Sequence, residues 1–214
     1  KYIDKNLFDL EKKFSPKRTT PFFVEFVAED FVHADAIVCS DSKKIDLIIE
    51  DLSKIELRLS KVIDNLEKEL LEKLKDVLEK EEFIFGMVFS PEQEKLIKAL
   101  SFVTAKPVLI KNDSGDVNAL IEEVLKISGI IFFYTAGPKE VRSWPLAKNS
   151  NAQEAAGKIH TDLARGFIRA DIVNISQIND FHNMNDAKQK GLVKSVEKDH
   201  IIENGDIIEI RFSV

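Results

Sequence analysis

The sequence predicts a mixed fold: a reduced α/β domain over residues 1–129, followed by a small α+β module of the β-grasp type over residues 130–214. Three observations predict it. In the front part, short apolar strand candidates alternate with amphipathic helices. A long helical stripe, at about residues 45–82, is inserted into that alternation. From residue 130 onward, two strand candidates, a helix and further strands follow one another closely.

The front part opens with a helix and continues with three buried strands. In DKNLFDLEKKF, Leu7, Leu10 and Phe14 share one helical face, and Ser15-Pro16 ends the helix. Three apolar runs follow, rich in the β-branched or aromatic residues expected of strands covered on both faces: PFFVEFVA, DAIVCS and KPVLI. This alternation of strands and helices is typical of an α/β domain.

The inserted stripe repeats apolar residues at spacings of three and four, in a coiled-coil-like pattern: Ile48, Leu52, Ile55, Leu59, Val62, Leu66, Leu70, Leu74 and Val77. One continuous helix would be roughly 55 Å long at 1.5 Å per residue. We predict instead an antiparallel hairpin that turns near Asp64-Asn65, because a single helix would leave much of the stripe uncovered. A helix merely packed on the domain is the alternative. If exposed, the stripe or the following segment EEFIFGMVFS would bind a protein partner. We expect Phe83, Phe85, Met87 and Phe89 of that segment to be buried in the core instead.

Two more helices have clear ends. Ser90-Pro91-Glu92-Gln93 supplies a cap, an N1 proline and early acid for a helix that runs through Leu100. The segment VNALIEEVLKIS stops at Gly129, a natural C′ residue. We expect the first domain to end there.

The C-terminal module begins with the strand pair IIFFYTA and EVRSWPL, joined by a Gly-Pro turn. Pro145 places the second strand at a sheet edge, because proline cannot donate to a ladder. A helix in NAQEAAGKIHTDLARGF and a strand in RADIVNI follow. In HIIENGDIIEIRFSV, Asn204-Gly205 separates two β-rich runs and predicts a hairpin between them.

Composition and charge indicate which class of protein this is and which part of it could bind a charged partner. An apolar fraction of 44% with 15 Phe indicates a packed globular chain, and no run is long enough to cross a bilayer. A single cysteine, Cys39, fits a reducing compartment, so we expect a cytoplasmic protein. The four histidines show no metal-ligand spacing. From Tyr134 onward 11 basic residues face 11 acidic ones, so the net charge of −6 belongs to the front part.

A polyanion should therefore meet the C-terminal module. Six basic residues cluster in sequence around its first hairpin and helix: Lys139, Arg142, Lys148, Lys158, Arg165 and Arg169. Arginine and lysine neutralise phosphates, and arginine also stacks on unpaired bases. We take these residues as candidate RNA or ribosome contacts, with an ordinary solvated face as the alternative.

Several segments together resemble one family. TAGPKEVRSW, QEAAGKIHTD, RGFIRADIV and ENGDIIEIRF resemble the C-terminal TGS domain of the YchF-type, Obg-related ribosome-associated nucleotide hydrolases. KRTTPFFVEFV, DAIVCS and SPEQEKLIKALSFVTAKPVLI resemble earlier pieces of the same proteins, in the same order. The resemblance implies a P-loop-like α/β domain, a ubiquitin-like TGS domain and a role around ribosomes or RNA.

The sequence differs from that family in the motifs that bind and hydrolyse the nucleotide. Such hydrolases carry a glycine-rich loop ending in Gly-Lys-Ser, whose amides and lysine hold the phosphates. Here Gly86, Gly115 and Gly129 are the only glycines before the module, and none precedes Lys-Ser or Lys-Thr. The family's Asp-x-x-Gly switch is absent too, since VEFVAED runs directly into FVHADAIV. The resemblance therefore implies a degenerate member, and we predict a pseudo-enzyme without a catalytic residue.

The family's base-recognition segment, expected after KPVLI, is also altered. Its Asn is matched by Asn112, but Gly115 stands where Glu is expected and Asp116 comes one residue later. Asn112 and Asp116 are thus a candidate remnant of a nucleotide site. The alternative is a simple turn over residues 112–115.

Three functions remain open from the sequence. The first is a non-catalytic adaptor that binds the ribosome or RNA through the TGS domain and needs no cofactor. The second is an ATP- or GTP-binding hydrolase, using Mg²⁺, whose phosphate-binding segment lies outside the given residues. The third is a protein-interaction module that uses the ubiquitin-like domain or the helical hairpin. No membrane role is expected.

Overall fold

The computed structural model describes residues 1–28, 30–113 and 115–213. Its helices, in chain order, are α1 (Lys5–Phe14), α2 (Asp41–Leu59), α3 (Asn65–Glu79), α4 (Pro91–Leu100), α5 (Val117–Ile127), α6 (Ala152–Ile159), α7 (Thr161–Arg165) and α8 (Met184–Gln189). Its strands are β1 (Arg18–Thr20), β2 (Ile37–Cys39), β3 (Val108–Ile110), β4 (Ile130–Ala136), β5 (Glu140–Ala147), β6 (Phe167–Asn174), β7 (Lys194–Val196) and β8 (Asp206–Phe212). There are also short 3₁₀ helices at Val103–Ala105 and Ile175–Asp180.

The chain divides into two compact units. The sheet unit consists of Lys1–Glu25 together with Gly129–Val214, and the helical unit consists of Phe26–Ser128. One boundary between the units lies between Ser128 and Gly129. The other lies after Glu25, because residues 1–25 pack with the C-terminal module rather than with the front part.

The sheet unit contains a six-stranded sheet in the order β1-β5-β4-β8-β6-β7. Strands β4 and β5 form the predicted antiparallel hairpin. Strand β8 lies parallel to β4 and antiparallel to β6. Strand β1 pairs in parallel with β5 over Glu140–Arg142 only. Pro145 lies beyond that pairing, so its missing N–H removes no bond to β1, in agreement with its predicted edge position.

Helices cover both faces of this sheet. Phe133, Leu146 and Ile172 point to one face, where they pack with Ala152 and Ala155 of α6; we call it the α6 face. Residues one position along each strand point to the other side. There Phe132 stacks on Tyr2 with ring centroids 5.6 Å apart, beside α1; we call it the α1 face. The N-terminal segment is therefore part of this unit's core.

A buried hydrogen bond holds α1 on that face. Asp4 is the N-cap of α1 and accepts bonds from the Asn6 and Leu7 amides. The hydroxyl of Tyr134 donates to the second carboxylate oxygen of Asp4 at 2.8 Å. Burial, followed by the nearby Asp4 charge, raises the pKa of Tyr134, so the hydroxyl keeps its proton and remains a donor.

The predicted hairpin at Asn204-Gly205 is wrong in its pairing. The turn exists, with Gly205 at φ +92°, but β8 pairs with β4 and β6 rather than with the preceding run. The Asn204 side-chain oxygen accepts a bond from the Phe132 amide at 2.9 Å, and the Gly205 amide donates to the Phe132 carbonyl at 2.9 Å. The turn is thus fixed against β4, which directs β8 into the centre of the sheet.

The helical unit is built around the predicted hairpin. Helices α2 and α3 are separate, and Asp64 caps α3 as the predicted turn requires. Ion pairs join the two helices, with Arg58 at 2.5 Å from Glu67 and Lys75 at 3.0 Å from Glu56. The inner stripe forms the core together with α4: Ile48, Ile55, Leu70, Leu71, Leu74, Leu78, Ile84, Ile97 and Phe102. Phe83, Met87 and Phe89 are partly buried against this core, as expected, whereas Phe85 is 42% exposed.

One carboxylate joins α2 to the chain beyond α4. Asp51 is 0% exposed. Its two oxygens accept bonds from the Val103 amide at 3.0 Å, and from the Thr104 amide and hydroxyl, each at 2.7 Å. Lys54 lies 3.2 Å from the same carboxylate. Asp51 thereby caps the 3₁₀ helix Val103–Ala105, a role that no sequence pattern indicated.

The strand predicted in PFFVEFVA does not form. Residues 21–28 are outside every strand, and Phe23, Phe26 and Val27 are 65%, 59% and 52% exposed. Only β2 and β3 remain of the expected sheet, as a parallel pair. A parallel neighbour of β2 needs a connection of roughly a dozen residues or more. Residues 29–36 are too few for that crossover, which explains the missing strand. Within the described ranges, every helix is too short or too polar to span a bilayer.

Candidate nucleic-acid interface

The two units differ in charge more sharply than the two halves of the sequence. Of the 31 basic and 37 acidic residues in the chain, the sheet unit contains 17 basic and 15 acidic residues. The helical unit contains the other 14 basic and 22 acidic residues. The N-terminal segment makes the difference, because it adds Lys1, Lys5, Lys12, Lys13, Lys17 and Arg18 to the sheet unit. A polyanion is therefore repelled less by the sheet unit.

The six predicted basic residues do not form one patch. Lys139 and Lys148 flank β5 at its two ends, roughly 30 Å apart at the rise of an extended strand. Arg169 lies opposite Arg211 and next to Ala170, a residue of the α6-face core, so its side chain is on the α1 face. The other three lie on the side of the sheet that α6 and α7 cover, with Arg142 on β5 and Lys158 and Arg165 on the two helices.

Arg142 is held against an aromatic ring. It lies two residues before Trp144 on β5, and its guanidinium carbon is 3.8 Å from the centroid of the indole ring. The indole stacks on Phe133 at an interplanar angle of 12°. Its N–H donates to the hydroxyl of Thr135 at 3.0 Å. Trp144 is thus fixed in position, and Arg142 has a defined place on it.

Lys158 and Arg165 lie at the corner between α6 and α7. His160 makes the corner: its backbone is extended, and its Nδ1 accepts a bond from the Asp162 amide at 3.1 Å. Arg165 is exposed and pairs with Asp162 at 2.8 Å, while Lys158 is exposed in the last turn of α6. Since both cations point to solvent, they can reach phosphates without losing core packing.

A groove connects this corner with the strand that carries Arg142. Ile159 and Leu163 line it from the helices, and Thr135 and Glu140 line it from β4 and β5. Two acidic residues line the groove, Glu140 and Glu209. Glu209 pairs with Lys188 at 2.5 Å. Glu140 lies 3.6 Å from Arg18 and accepts a bond from the hydroxyl of Thr20. The N-terminal segment therefore offsets the charge of Glu140, the acidic residue two positions before Arg142 on β5.

Sequence reasoning missed two contributors to this surface. Thr135 fixes the indole, and Arg18 offsets Glu140. Strand alternation could have placed Thr135 opposite Arg142 once the hairpin register was known. Nothing in the sequence indicated that Arg18 packs with the C-terminal module.

The candidate nucleotide remnant consists of two helix caps. The Asn112 oxygen accepts a bond from the Asp41 amide, at the start of α2, at 2.9 Å. Asp116 is the N-cap of α5 and accepts a bond from the Ala119 amide at 2.8 Å. Ser114, part of the alternative turn, lies outside the described residues. Next to them, Lys111 pairs with Glu123 at 2.6 Å. Each of these side chains thus has a partner in a neighbouring helix, through a bond to a helix N-terminus or an ion pair.

A metal centre and a reactive cysteine are two other kinds of functional site. Within the described ranges, no group of three His, Cys, Asp or Glu side chains is placed to hold a metal ion. Cys39 is half-buried, and its burial, followed by the charge of Asp41, raises the pKa of the thiol. The protonated thiol is a poor nucleophile, which fits the structural role expected for this residue.

Comparisons with known proteins find relatives along the whole chain. Residues 130–213 match the family model YchF-GTPase_C, described as a protein of unknown function (DUF933). The chain is 27% identical over 247 residues to the ribosome-binding ATPase YchF of Bacillus subtilis, covering 84% of this chain and 68% of that protein. It is 35% identical over 122 residues to Obg-like ATPase 1 of Rattus norvegicus, covering 57% of this chain and 28% of that protein.

The fold is similar to a solved structure as well. The structure of the Schizosaccharomyces pombe YchF GTPase matches with a TM-score of 0.77 at 19% identity, over 98% of this chain and 86% of that chain. At this identity the likeness concerns the fold. The alignment with the Bacillus protein is longer, at 247 residues, than this chain of 214 residues. That relative therefore has segments with no counterpart here.

Proposed function

We propose that this chain, a relative of the YchF proteins, is a translation-associated protein that binds the ribosome through ribosomal RNA. The observation that carries the proposal is the group Arg142, Lys158 and Arg165 on the α6 side of the sheet, where Arg18 offsets the charge of Glu140 near Arg142. Relatives named ribosome-binding ATPases support the ribosome as the partner. This function would place the chain in the cytoplasm.

In this proposal the sheet unit acts as a TGS domain of the β-grasp type. The parallel pair of β4 and β8 at its centre, the antiparallel neighbours β5 and β6, and α6 across one face support that assignment. The N-terminal segment extends it, through β1 at one edge and α1 on the other face. The helical unit, which holds the acidic excess, would act as a scaffold or as a surface for a protein partner.

We further propose that these 214 residues do not hydrolyse nucleotides. Phosphoryl transfer depends on amides, a lysine and metal ligands that converge on the phosphates. Lys111, Asn112 and Asp116, at the ends of the parallel strands where such a ligand would bind, are already engaged. Isothermal titration with ATP or GTP and Mg²⁺ should show no binding heat at protein concentrations of about 100 μM. Saturable micromolar binding to this chain would overturn the proposal.

Two alternatives have specific support. A hydrolase whose phosphate-binding segment lies outside these residues is favoured by the relatives' names and by the segments they have in addition. A protein-interaction module is favoured by the tip of the helical hairpin, where Ile63 is 95% exposed and Leu66 is 77% exposed. Ribosome binding that persists when Ile63 and Leu66 are both replaced by serine would separate the main proposal from the second alternative.

Ribosome cosedimentation tests the basic group. The wild-type chain should pellet with ribosomes at low salt and be released at high salt, because phosphate contacts release counterions. The double reversal Arg142→Glu with Arg165→Glu should weaken pelleting by roughly tenfold or more. The matched control is Lys148→Glu with Arg169→Glu, which makes the same change in charge away from this group. Equal pelleting of wild type and the first double variant would refute this interface.

A further inference from the structure

We propose that Arg142 stacks on an unpaired base, so that the RNA bound by this surface presents a loop, bulge or single strand rather than continuous duplex. The inference rests on the function proposed above and identifies its ligand more closely. Its basis is a pile of three planar groups on the α6 face, which begins at the buried Phe133, continues with Trp144 and ends at the half-buried Arg142.

The lower part of the pile is rigid. Phe133 is 0% exposed and belongs to the core of the α6 face. The Trp144 ring lies nearly parallel to it, with centroids 6.3 Å apart. The bond from the indole N–H to Thr135, at 3.0 Å, fixes the ring's rotation and uses its only polar group. Trp144 is therefore a fixed platform, with no hydrogen bond left to give a ligand.

The guanidinium of Arg142 completes the pile. At 3.8 Å from the indole centroid, it is within the distance of a favourable cation–π contact. Glu140, two residues away on the same face, is engaged by Arg18 and by Thr20. Arg142 is half-buried and, among the described residues, forms no ion pair. It thus remains on the ring rather than turning to a carboxylate.

A guanidinium in this position suits a base better than a phosphate alone. It is planar and weakly hydrated, and it stacks on π systems, which a lysine ammonium cannot do in the same way. The guanidinium carbon lies 3.8 Å from the centre of the Trp144 ring, and we infer that the exposed part of the half-buried guanidinium accepts one more planar group. Bases inside an A-form helix are already stacked and inaccessible, whereas loop bases can be splayed onto such a platform. Lys158 and Arg165 would then hold the flanking phosphates.

The experiment compares two RNAs and two conservative variants of the full chain. The RNAs are a fluorescently labelled hairpin with an unpaired loop and a continuous duplex with the same number of phosphates. Wild type should bind the hairpin roughly tenfold more tightly than the duplex. Arg142→Lys, which keeps the charge and removes the plane, should lose most of that preference and keep its duplex affinity. Arg165→Lys, the same change at an unstacked arginine, should retain the preference.

Trp144 gives a second readout, because it is the only tryptophan. The hairpin should change its emission in wild type, whereas the duplex should not, and unliganded Arg142→Lys should unfold at the wild-type temperature. Retention of the preference by Arg142→Lys would overturn the stacking role. Equal, salt-sensitive binding of both RNAs by wild type would also overturn it while leaving ribosome binding intact. Binding of neither RNA at low salt would refute the proposed function together with this inference.

Discussion

Replacing Gly166 with alanine is expected to destabilise the sheet unit by about 2–3 kcal/mol, the upper range for forcing an extra carbon into a packed site. A Cβ at this position would lie 2.1 Å from the Ser213 carbonyl oxygen and 3.0 Å from its carbon. The obstacle is backbone, which cannot move aside as a flexible side chain can. The Ser213 amide also donates to the Gly166 carbonyl at 2.9 Å, so relief of the clash breaks this bond.

Urea unfolding followed by Trp144 emission measures this effect, since Trp144 belongs to the sheet unit. Gly157→Ala is the matched control. Its added Cβ would meet the Ala164 Cβ at 3.5 Å, an ordinary contact, within α6. Because alanine favours helix over glycine, that variant should gain roughly 0.5–1 kcal/mol. A midpoint for Gly166→Ala equal to that of wild type would show that the β8 end and the turn after α7 are not packed as described.

Replacing Asp51 with alanine is expected to cost the helical unit about 3–5 kcal/mol, the usual loss when a buried charge network is broken. The change leaves the Val103 amide and the Thr104 amide and hydroxyl buried without their acceptor. Each buried donor without a partner costs about 1–3 kcal/mol. The Lys54 ammonium also loses its contact at 3.2 Å. We expect the core between α2 and the Val103–Ala105 turn to open.

Hydrogen exchange of amides in residues 26–128 is the appropriate measurement, because the only tryptophan is in the other unit. Asp46→Ala is the control, since Asp46 lies on the same helix and pairs with Lys43 at the surface, at 2.8 Å. Exposed pairs contribute little, so this variant should change stability by less than about 0.5 kcal/mol. Similar protection in Asp51→Ala and wild type would contradict the role assigned to the buried carboxylate.

The elements that were predicted well from the sequence are those determined by residues within a few positions of one another. Ser90 caps α4 in a full capping box with Gln93, and Asp64 starts α3, because capping depends on residues three positions apart. Gly129 takes φ +64° after α5, as a C′ residue should. The β4–β5 hairpin was likewise visible in strand composition and its turn.

The elements that were not predicted from the sequence depend on chain connections or on contacts between residues far apart in the sequence. PFFVEFVA has strand composition, but the short connection after it cannot return the chain for a parallel neighbour. Asn204-Gly205 has a hairpin signal, yet the side chain of Asn204 bonds to Phe132 instead. Residues 1–25 join the C-terminal module through Tyr134 and Phe132, contacts between ends of the chain that no local pattern predicts.

The candidate site likewise has features that depend on local sequence and features that depend on distant contacts. From basic residue types and charge balance, the C-terminal module is predicted to meet a polyanion, and this stays a prediction. Strand register then decided which cations share a face, so that Arg142 separates from Arg169. The stacking of Arg142 on Trp144 depends on side-chain conformation, which sequence spacing permits and does not determine.

Ultraviolet crosslinking of the full chain to ribosomes, followed by mass spectrometric mapping of RNA-bearing peptides, tests ribosome binding through the α6 face most directly. We expect adducts on peptides that contain Trp144 or residues 157–166, and their loss in the Arg142→Glu, Arg165→Glu variant. Adducts confined to residues 26–128, or none from a chain that pellets with ribosomes, would contradict an RNA contact at this face.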